Sequence, residues 1–257
     1  MKNILKIMLM MITIFTIAGS AVYAAEIPVS DQDQLITSND WTEISNLQDE
    51  MKKEEPDATI DYDKALKVYV DCNLIKLQTA DTKKLTSALE SANYVWVIPF
   101  KMEKTYGMFT VAKGLPLREE AKSVLTKAEQ EEVKNHAGKW MITEIAEHTV
   151  EPYYDILLEK REALSDCTRV VLVGSQPGMR QPVALGMDDE TARIWISLGY
   201  QYPVMEKIPE TQNVESGVYS FDSVAEISDT YIEDSEVSTG VGVQSRSSMK
   251  YVAGIGI

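Results

Sequence analysis

YVWVIPFKMEKTYGMFTVA, residues 94–112, holds two runs rich in aromatic and β-branched side chains, 94–101 and 106–112, on either side of a short charged turn. Such side chains fit a pleated, half-buried surface, and two such runs around a polar turn are the pattern of a β-hairpin. Immediately upstream, residues 82–91 put Leu85, Ala88 and Leu89 on one side of a helix, and residues 65–71 (ALKVYVD) form another β-rich run. Gly114 and Pro116 close this strand-helix-strand-strand unit.

The order recurs downstream. Residues 117–137 are helical by pattern, with an apolar stripe through Leu117, Ala121, Val124, Leu125, Ala128, Val133 and Ala137. Thr126-Lys127-Ala128-Glu129 is a capping box, which predicts a break into two helices, and Gly138 suits the left-handed position just past a helix end. A strand at 140–146 follows, then a helix opened by Pro152 and carrying Tyr154, Leu157, Leu158 and Leu164, then a strand at 168–173. The turn GSQPG leads to strands at 182–187 and 191–198. Strands in hairpins with helices between them argue for an α+β domain over residues 60–209: a mostly antiparallel sheet with helices packed on one face, built from two strand-helix-strand-strand successions.

Before this core, residues 25–59 form a polar leader and a short helix in which Trp41, Ile44, Leu47 and Met51 recur at three and four residues. Asp40 with Glu43 is a capping pair at its start, and Pro56 ends it. The first residues, MKNILKIMLMMITIFTIAGSAVYAA, have Lys2 and Lys6 ahead of an apolar stretch at 7–18, with small residues Val22 and Ala24 placed for a signal peptidase. That stretch is shorter than the roughly 20 apolar residues of a membrane-spanning helix. Residues 1–24 are therefore expected to be a cleaved secretory signal, leaving an extracellular chain without a membrane span. From residue 210 the chain carries eight acids, two bases and few large aliphatics, a composition that predicts disorder over 210–257. Tyr219, Phe221, Val241, Val243, Tyr251 and Val252 permit the alternative that tail strands pair with an exposed sheet edge.

The formal charge is −15, and loss of a signal bearing two lysines and no acids takes it to −17. Phosphate polyanions are repelled by such a field, and without a Lys/Arg cluster to displace counterions nucleic acid is excluded as a partner. Cys72 and Cys167 are the two cysteines of an even pair in a chain expected to meet an oxidising compartment. They either form a disulfide, closing a loop of about 95 residues worth up to ~4.5 kcal/mol, or act as two separate buried apolar fillers.

No constellation of reactive residues has a motif's spacing. His136 falls in the last turn of a helix, where a cation complements the dipole. His148 lies beside Glu147, Glu151 and Asp155 and is the least implausible general base, though it has no identifiable nucleophile. Ser175 in Gly174-Ser175-Gln176-Pro177-Gly178 leads into a strand and not into the helix that a nucleophile elbow requires. The acidic stretches Asp31-Gln32-Asp33, Asp61-Tyr62-Asp63, Asp188-Asp189-Glu190 and Glu233-Asp234-Ser235-Glu236 do not match a calcium loop, so no metal site is assigned, and no cofactor is implied. Trp96 and Trp140 lie in strands. In residues 191–198 the alternation of Ala192, Ile194 and Ile196 sends Arg193 and Trp195 to the opposite face, expected to be solvated, which makes that pair the candidate ligand-binding residues of an aromatic platform. Three functions fit: a non-enzymatic module binding an extracellular protein, peptide or glycan; a secreted hydrolase acting near His148; or a surface protein that self-assembles through its tail.

Overall fold

The computed structural model describes residues 27–148, 151–174, 176, 179, 181–199, 205–208 and 213–234. Among these residues ten strands form one sheet: β1 (Thr59–Ile60), β2 (Leu66–Tyr69), β3 (Tyr94–Lys101), β4 (Tyr106–Lys113), β5 (Trp140–His148), β6 (Arg169–Val173), β7 (Val183–Met187), β8 (Ala192–Ser197), β9 (Asn213–Glu215) and β10 (Val218–Ser220). The strand order is β5-β4-β3-β2-β6-β7-β8-β10-β9, with β1 pairing β3 beyond the end of β2. Every named pairing is antiparallel except β2 with β6, where Val68 faces Leu172 and Tyr69 faces Val173. That two-residue parallel contact joins a four-stranded meander to a five-stranded half.

The hairpin β3–β4 pairs in continuous register from Val95↔Ala112 to Lys101↔Tyr106. Gly107 lies opposite Phe100, and a Cβ there would come within 2.1 Å of the Phe100 ring. Only glycine lets the two strands close while Phe100 packs on Phe109, with ring centroids 4.8 Å apart. Among the described residues six α-helices accompany the sheet: α1 (Trp41–Ile44), α2 (Gln48–Glu54), α3 (Thr82–Ser91), α4 (Lys127–His136), α5 (Tyr153–Glu159) and α6 (Phe221–Asp234). The side chain of Asp81 caps α3 by accepting from the Lys84 backbone N–H at 3.0 Å. The capping box of Thr126 and Glu129 opens α4 as its sequence predicts, and Gly138 follows with φ of +76°.

The α+β class and the mostly antiparallel sheet follow the sequence expectation. Helices α1, α2, α3 and α6 share one face, whose cores contain Ile44, Met51, Leu85, Leu89, Phe221 and Val224 against Trp96, Ile98, Tyr69 and Trp195. Helix α5 goes to the opposite face, where Tyr153, Ile156 and Leu157 bury Leu66, Val68, Val170 and Leu172. Strands β2 and β6 are thus covered on both sides, which explains why they read as unbroken apolar runs. The second strand-helix-strand succession does not close on itself: β5 pairs β4 at the sheet edge, and α5 carries the chain from there to β6 at the centre.

Two expectations are corrected, and the choice between the two readings of the cysteines is decided. Residues 213–234, assigned by composition to a disordered tail, form β9, β10 and α6, because Tyr219, Phe221 and Val224 bring enough apolar surface to bury on the first face. Trp195 does lie opposite Ile194 and Ile196, but that face is not solvated: Trp195 is 0% exposed and stacks on Phe221 at 5.7 Å and 11°. Cys72 and Cys167 are free, buried and on opposite faces, so the disulfide is absent and each thiol fills its own core. The signal segment 1–24 and residues 235–257 lie outside the described residues.

Burial pushes both thiols up to about 11, with Asp71 adding to the shift at Cys72 and Asp166 at Cys167. Because the reactive species is the thiolate, native protein at pH 8 is expected to be inert to a thiol reagent, whereas protein in denaturant reacts at both positions without prior reduction; a native protein that gains thiols only after reductant would refute this arrangement. Phe221→Ala is expected to lower stability by about 3–5 kcal/mol and to red-shift tryptophan emission, read by urea unfolding.

Candidate functional site

The most charged part of the interior lies where the N-terminal leader meets β2 and β6. Strand β2 is apolar except for Lys67, which points to the first face together with Tyr69. Across the register Lys67 faces Trp96 and Tyr69 faces Tyr94, so the lysine stands among three rings. Its Nζ is 4.5 Å from the Tyr94 centroid, 5.3 Å from Trp96 and 5.8 Å from Tyr69. Arg169 enters from the start of β6. Between the two cations sits Asp33, 2% exposed, in a 3₁₀ turn over Asp31–Asp33.

Asp33 is saturated with partners. Its Oδ2 accepts from Ser30 Oγ at 2.6 Å and from Arg169 Nη2 at 3.0 Å, and its Oδ1 accepts from the Tyr69 hydroxyl at 2.7 Å, with Lys67 Nζ at 3.6 Å. Burial pushes the carboxyl pKa up, but the hydrogen bonds from Ser30 and Tyr69 and the Arg169 charge outweigh it and hold the group below 3.8. At Lys67 the balance runs the other way: loss of hydration lowers its pKa by more than Asp33 and Asp40 raise it. The Tyr69 phenol is pushed up by burial and then by the Asp33 charge, so it stays a donor. A second carboxylate, Asp40, accepts from the Tyr94 hydroxyl at 2.9 Å and from Trp96 Nε1 at 3.0 Å, closing the far side of the lysine's enclosure. Two acids and two bases balance, and the cluster holds its atoms by mutual satisfaction.

At the opposite end of β2 and β6, Gln176 staples the two outgoing loops. Its buried amide donates to the carbonyls of Cys72 at 2.5 Å and Gly174 at 2.8 Å and accepts from the Leu74 N–H at 3.1 Å. Asp71, with φ of +54°, accepts from the Asn93 N–H at 3.0 Å next to it.

On the second face a shallow concavity lies beside the start of α5. Leu66, Val97, Pro99 and Met108 line its apolar part, and Tyr106 and Glu151 its polar part. Lys64, also in its wall, is held by Asp155 at 2.8 Å, and that hydrogen bond raises its pKa.

The residues singled out in the sequence do not converge. Arg193 is exposed and paired with Asp188, whose carboxylate also accepts from the N–H groups of Glu190 and Thr191; Trp195 is in the core. His136 ends α4, with a buried Nδ1 that has no partner among the described residues. His148 is the last residue of β5, opposite Tyr106; its side chain and Ser175 lie outside the described residues. Among the described residues no group of three or more His, Cys, Asp or Glu is arranged to hold a metal ion. The Asp31-Gln32-Asp33 stretch does not match a calcium loop; apart from Ser30, the partners of Asp33 come from distant strands, with Tyr69 36 and Arg169 136 residues away. The one local signal was a lysine in the middle of an apolar strand. No protein-family model matches the chain, and neither a curated protein nor a solved structure matches it.

Removing one member of a buried ion cluster strands the others, so Asp33→Asn is expected to cost about 3–5 kcal/mol. Lys67→Met keeps the buried stem and leaves Asp33 with Ser30, Tyr69 and Arg169, so it should cost clearly less; equal losses in urea would show that the lysine, not the carboxylate, organises the cluster. The pH dependence has a definite sign. A folded-state pKa held below 3.8 stabilises the fold at all pH above that value and is lost as pH falls through the lowered value. The stability gap between wild type and Asp33→Asn should therefore be constant from pH 5 to 7 and close in strong acid.

Proposed function

We propose that the chain is a non-enzymatic binding module, exported from the cell, that takes a protein, peptide or glycan through the open half of its sheet. The carrying observation is the asymmetry between the sheet's two ends. Among the described residues, strand β9, at one end, is three residues long, whereas β5, at the other, spans nine residues and pairs with β4 on one side only. On the second face of that half, Tyr106, Met108 and Thr110 alternate with the buried side chains of β4 and are half-buried, and Ala146 lies opposite Met108. An extended edge beside a partly open apolar surface is what strand addition and side-chain pockets require of a peptide-binding sheet.

Features of β5 favour a partner of different composition over a second copy. Glu144 and Glu147 are exposed on it, and its pairing with β4 shifts register at Thr110/Val111. Charged edges and irregular register are devices that discourage like strands from pairing, and a chain of high net negative charge repels its own copies. Among the described residues no helix is long and apolar enough to cross a membrane.

Met108→Asp combined with Ala146→Asp alters half-buried positions and should leave the far-ultraviolet circular dichroism unchanged. In crosslinking capture from producing-cell surfaces and medium, the double variant is expected to lose at least tenfold of what the wild-type chain retains, while His148→Ala retains it. Capture indifferent to the double variant would remove the open half as the binding surface. A substrate turned over by wild type and not by His148→Ala would replace binding with hydrolysis.

A further inference from the structure

Strands β2 and β6 run together for only two residue pairs and then separate toward their N-terminal ends. Each already has a neighbour on its outer side: Leu66 pairs with Val97 of β3, and Val170 with Gly186 of β7. The leader makes bridges to those same two residues, Val29 with Val170 in parallel and Gln34 with Leu66 antiparallel. Both bridges therefore lie in the gap between β2 and β6. The Val170 N–H donates to Pro28 O at 2.7 Å and the Leu35 N–H to Ala65 O at 3.1 Å. Between these points the leader reverses through the 3₁₀ turn Asp31–Asp33, braced by Gln34 Nε2 donating to Val29 O at 3.1 Å.

The segment also changes faces. Ile27 is buried in the second-face core with Val170 and Leu172, whereas Leu35 is buried in the first-face core with Ile44 and Trp96. Asp33, the last residue of the turn, presents its carboxylate to Lys67 and Tyr69 of one half-sheet and Arg169 of the other. Two apolar anchors, two backbone bridges and one charged contact shared by both halves are the elements of a peptide ligand in a specific slot. The next residues, Ile36 and Thr37, are exposed in the 3₁₀ turn Leu35–Thr37, where the Thr37 hydroxyl donates to Asp31 O at 2.7 Å.

From this geometry we infer that residues 27–35 are a separable clasp: they bind as a peptide reversed at a 3₁₀ turn in a slot between β2 and β6, are recognised through the Asp33 carboxylate, and can be exchanged for the same peptide supplied in trans. The clasp spans a gap that strand pairing leaves open, so its release opens the seam between the half-sheets while each half keeps its own hairpins. The ligand class of the slot is a turn-forming peptide with an apolar residue at each end and a carboxylate between them. This inference does not depend on what the open half of the sheet binds.

Two measurements test it. In the full chain, a site-specific protease sequence inserted between Ile36 and Thr37 allows the folded protein to be nicked and incubated with fluorescent peptide 25–36. The wild-type peptide is expected to be incorporated and to co-migrate with the folded protein, and the Asp33→Asn peptide to be incorporated at least tenfold less. Equal incorporation of both peptides, or of neither into a nicked protein that stays folded, overturns the inference. Should nicking unfold the chain, native-state hydrogen exchange on the intact protein decides: Asp33→Asn should accelerate the amides of Leu35, Val170 and Gly174 at least tenfold more than those within β3–β4 and β7–β8. Acceleration spread evenly over all of these, or absent from the seam, overturns it.

Discussion

A carboxylate that reaches both halves of a divided sheet is the constraint around which this molecule is arranged. Asp33 belongs to neither half, yet its partners Lys67 and Tyr69 come from β2 and Arg169 from β6. The direct parallel pairing of those strands is two residues long, too little backbone to hold two sheets in register by itself. A buried charge is costly, and this one is tolerated because every interaction it needs is met within one turn of chain and two adjacent strands. The aromatic walls of Tyr94 and Trp96 follow from the same requirement: they cover the lysine with ring faces and send their own polar atoms to Asp40.

The sequence revealed the molecule's local elements better than its long-range ones. The hairpin β3–β4, the cap of α4 and the stripe of α3 are encoded in spacings of two to four residues, and all three were legible. The second layer was not. Strand alternation in 191–198 correctly put Trp195 opposite Ile194, but which of the two faces is wet depends on α6, whose covering stripe of Phe221 and Val224 was diluted by acids and serines. Compositional averages hid a helix that burial patterns would have retained. The cluster at Asp33 was illegible for a different reason: its members are widely separated in sequence, and nothing in the Asp31-Gln32-Asp33 stretch distinguishes a solvated acid from one that is 2% exposed. The cysteines were ambiguous because the chain order does not say on which side of a sheet each falls.

The two edges and two faces are treated unequally. Helices and the leader cover the first face along most of its width, while α5 covers the centre of the second. Among the described residues, what remains open is the outer part of the meander, where the edge strand is long and the flanking side chains are half-buried. Concentrating exposure in one half leaves the other half free to act as a rigid base, and the Gln176 staple and Asp33 cluster secure the two ends of the strands at the boundary between them.

The parallel contact of Val68 with Leu172 also sets an order of events for a chain that emerges N-terminus first. The meander β2–β5 is built from neighbours in sequence and has all its residues once position 148 is available, but the central pair requires residues more than a hundred positions apart. Loop closure over that separation is entropically expensive and slow. Until β6 arrives, Ile27, Leu66 and Val68 lack their second-face neighbours Val170 and Leu172, so the growing molecule presents an apolar strand on its inner margin. The leader, which appears before any strand, is thus among the last segments to find its seat, and the molecule's vulnerability to wrong pairing is greatest in the interval between the two.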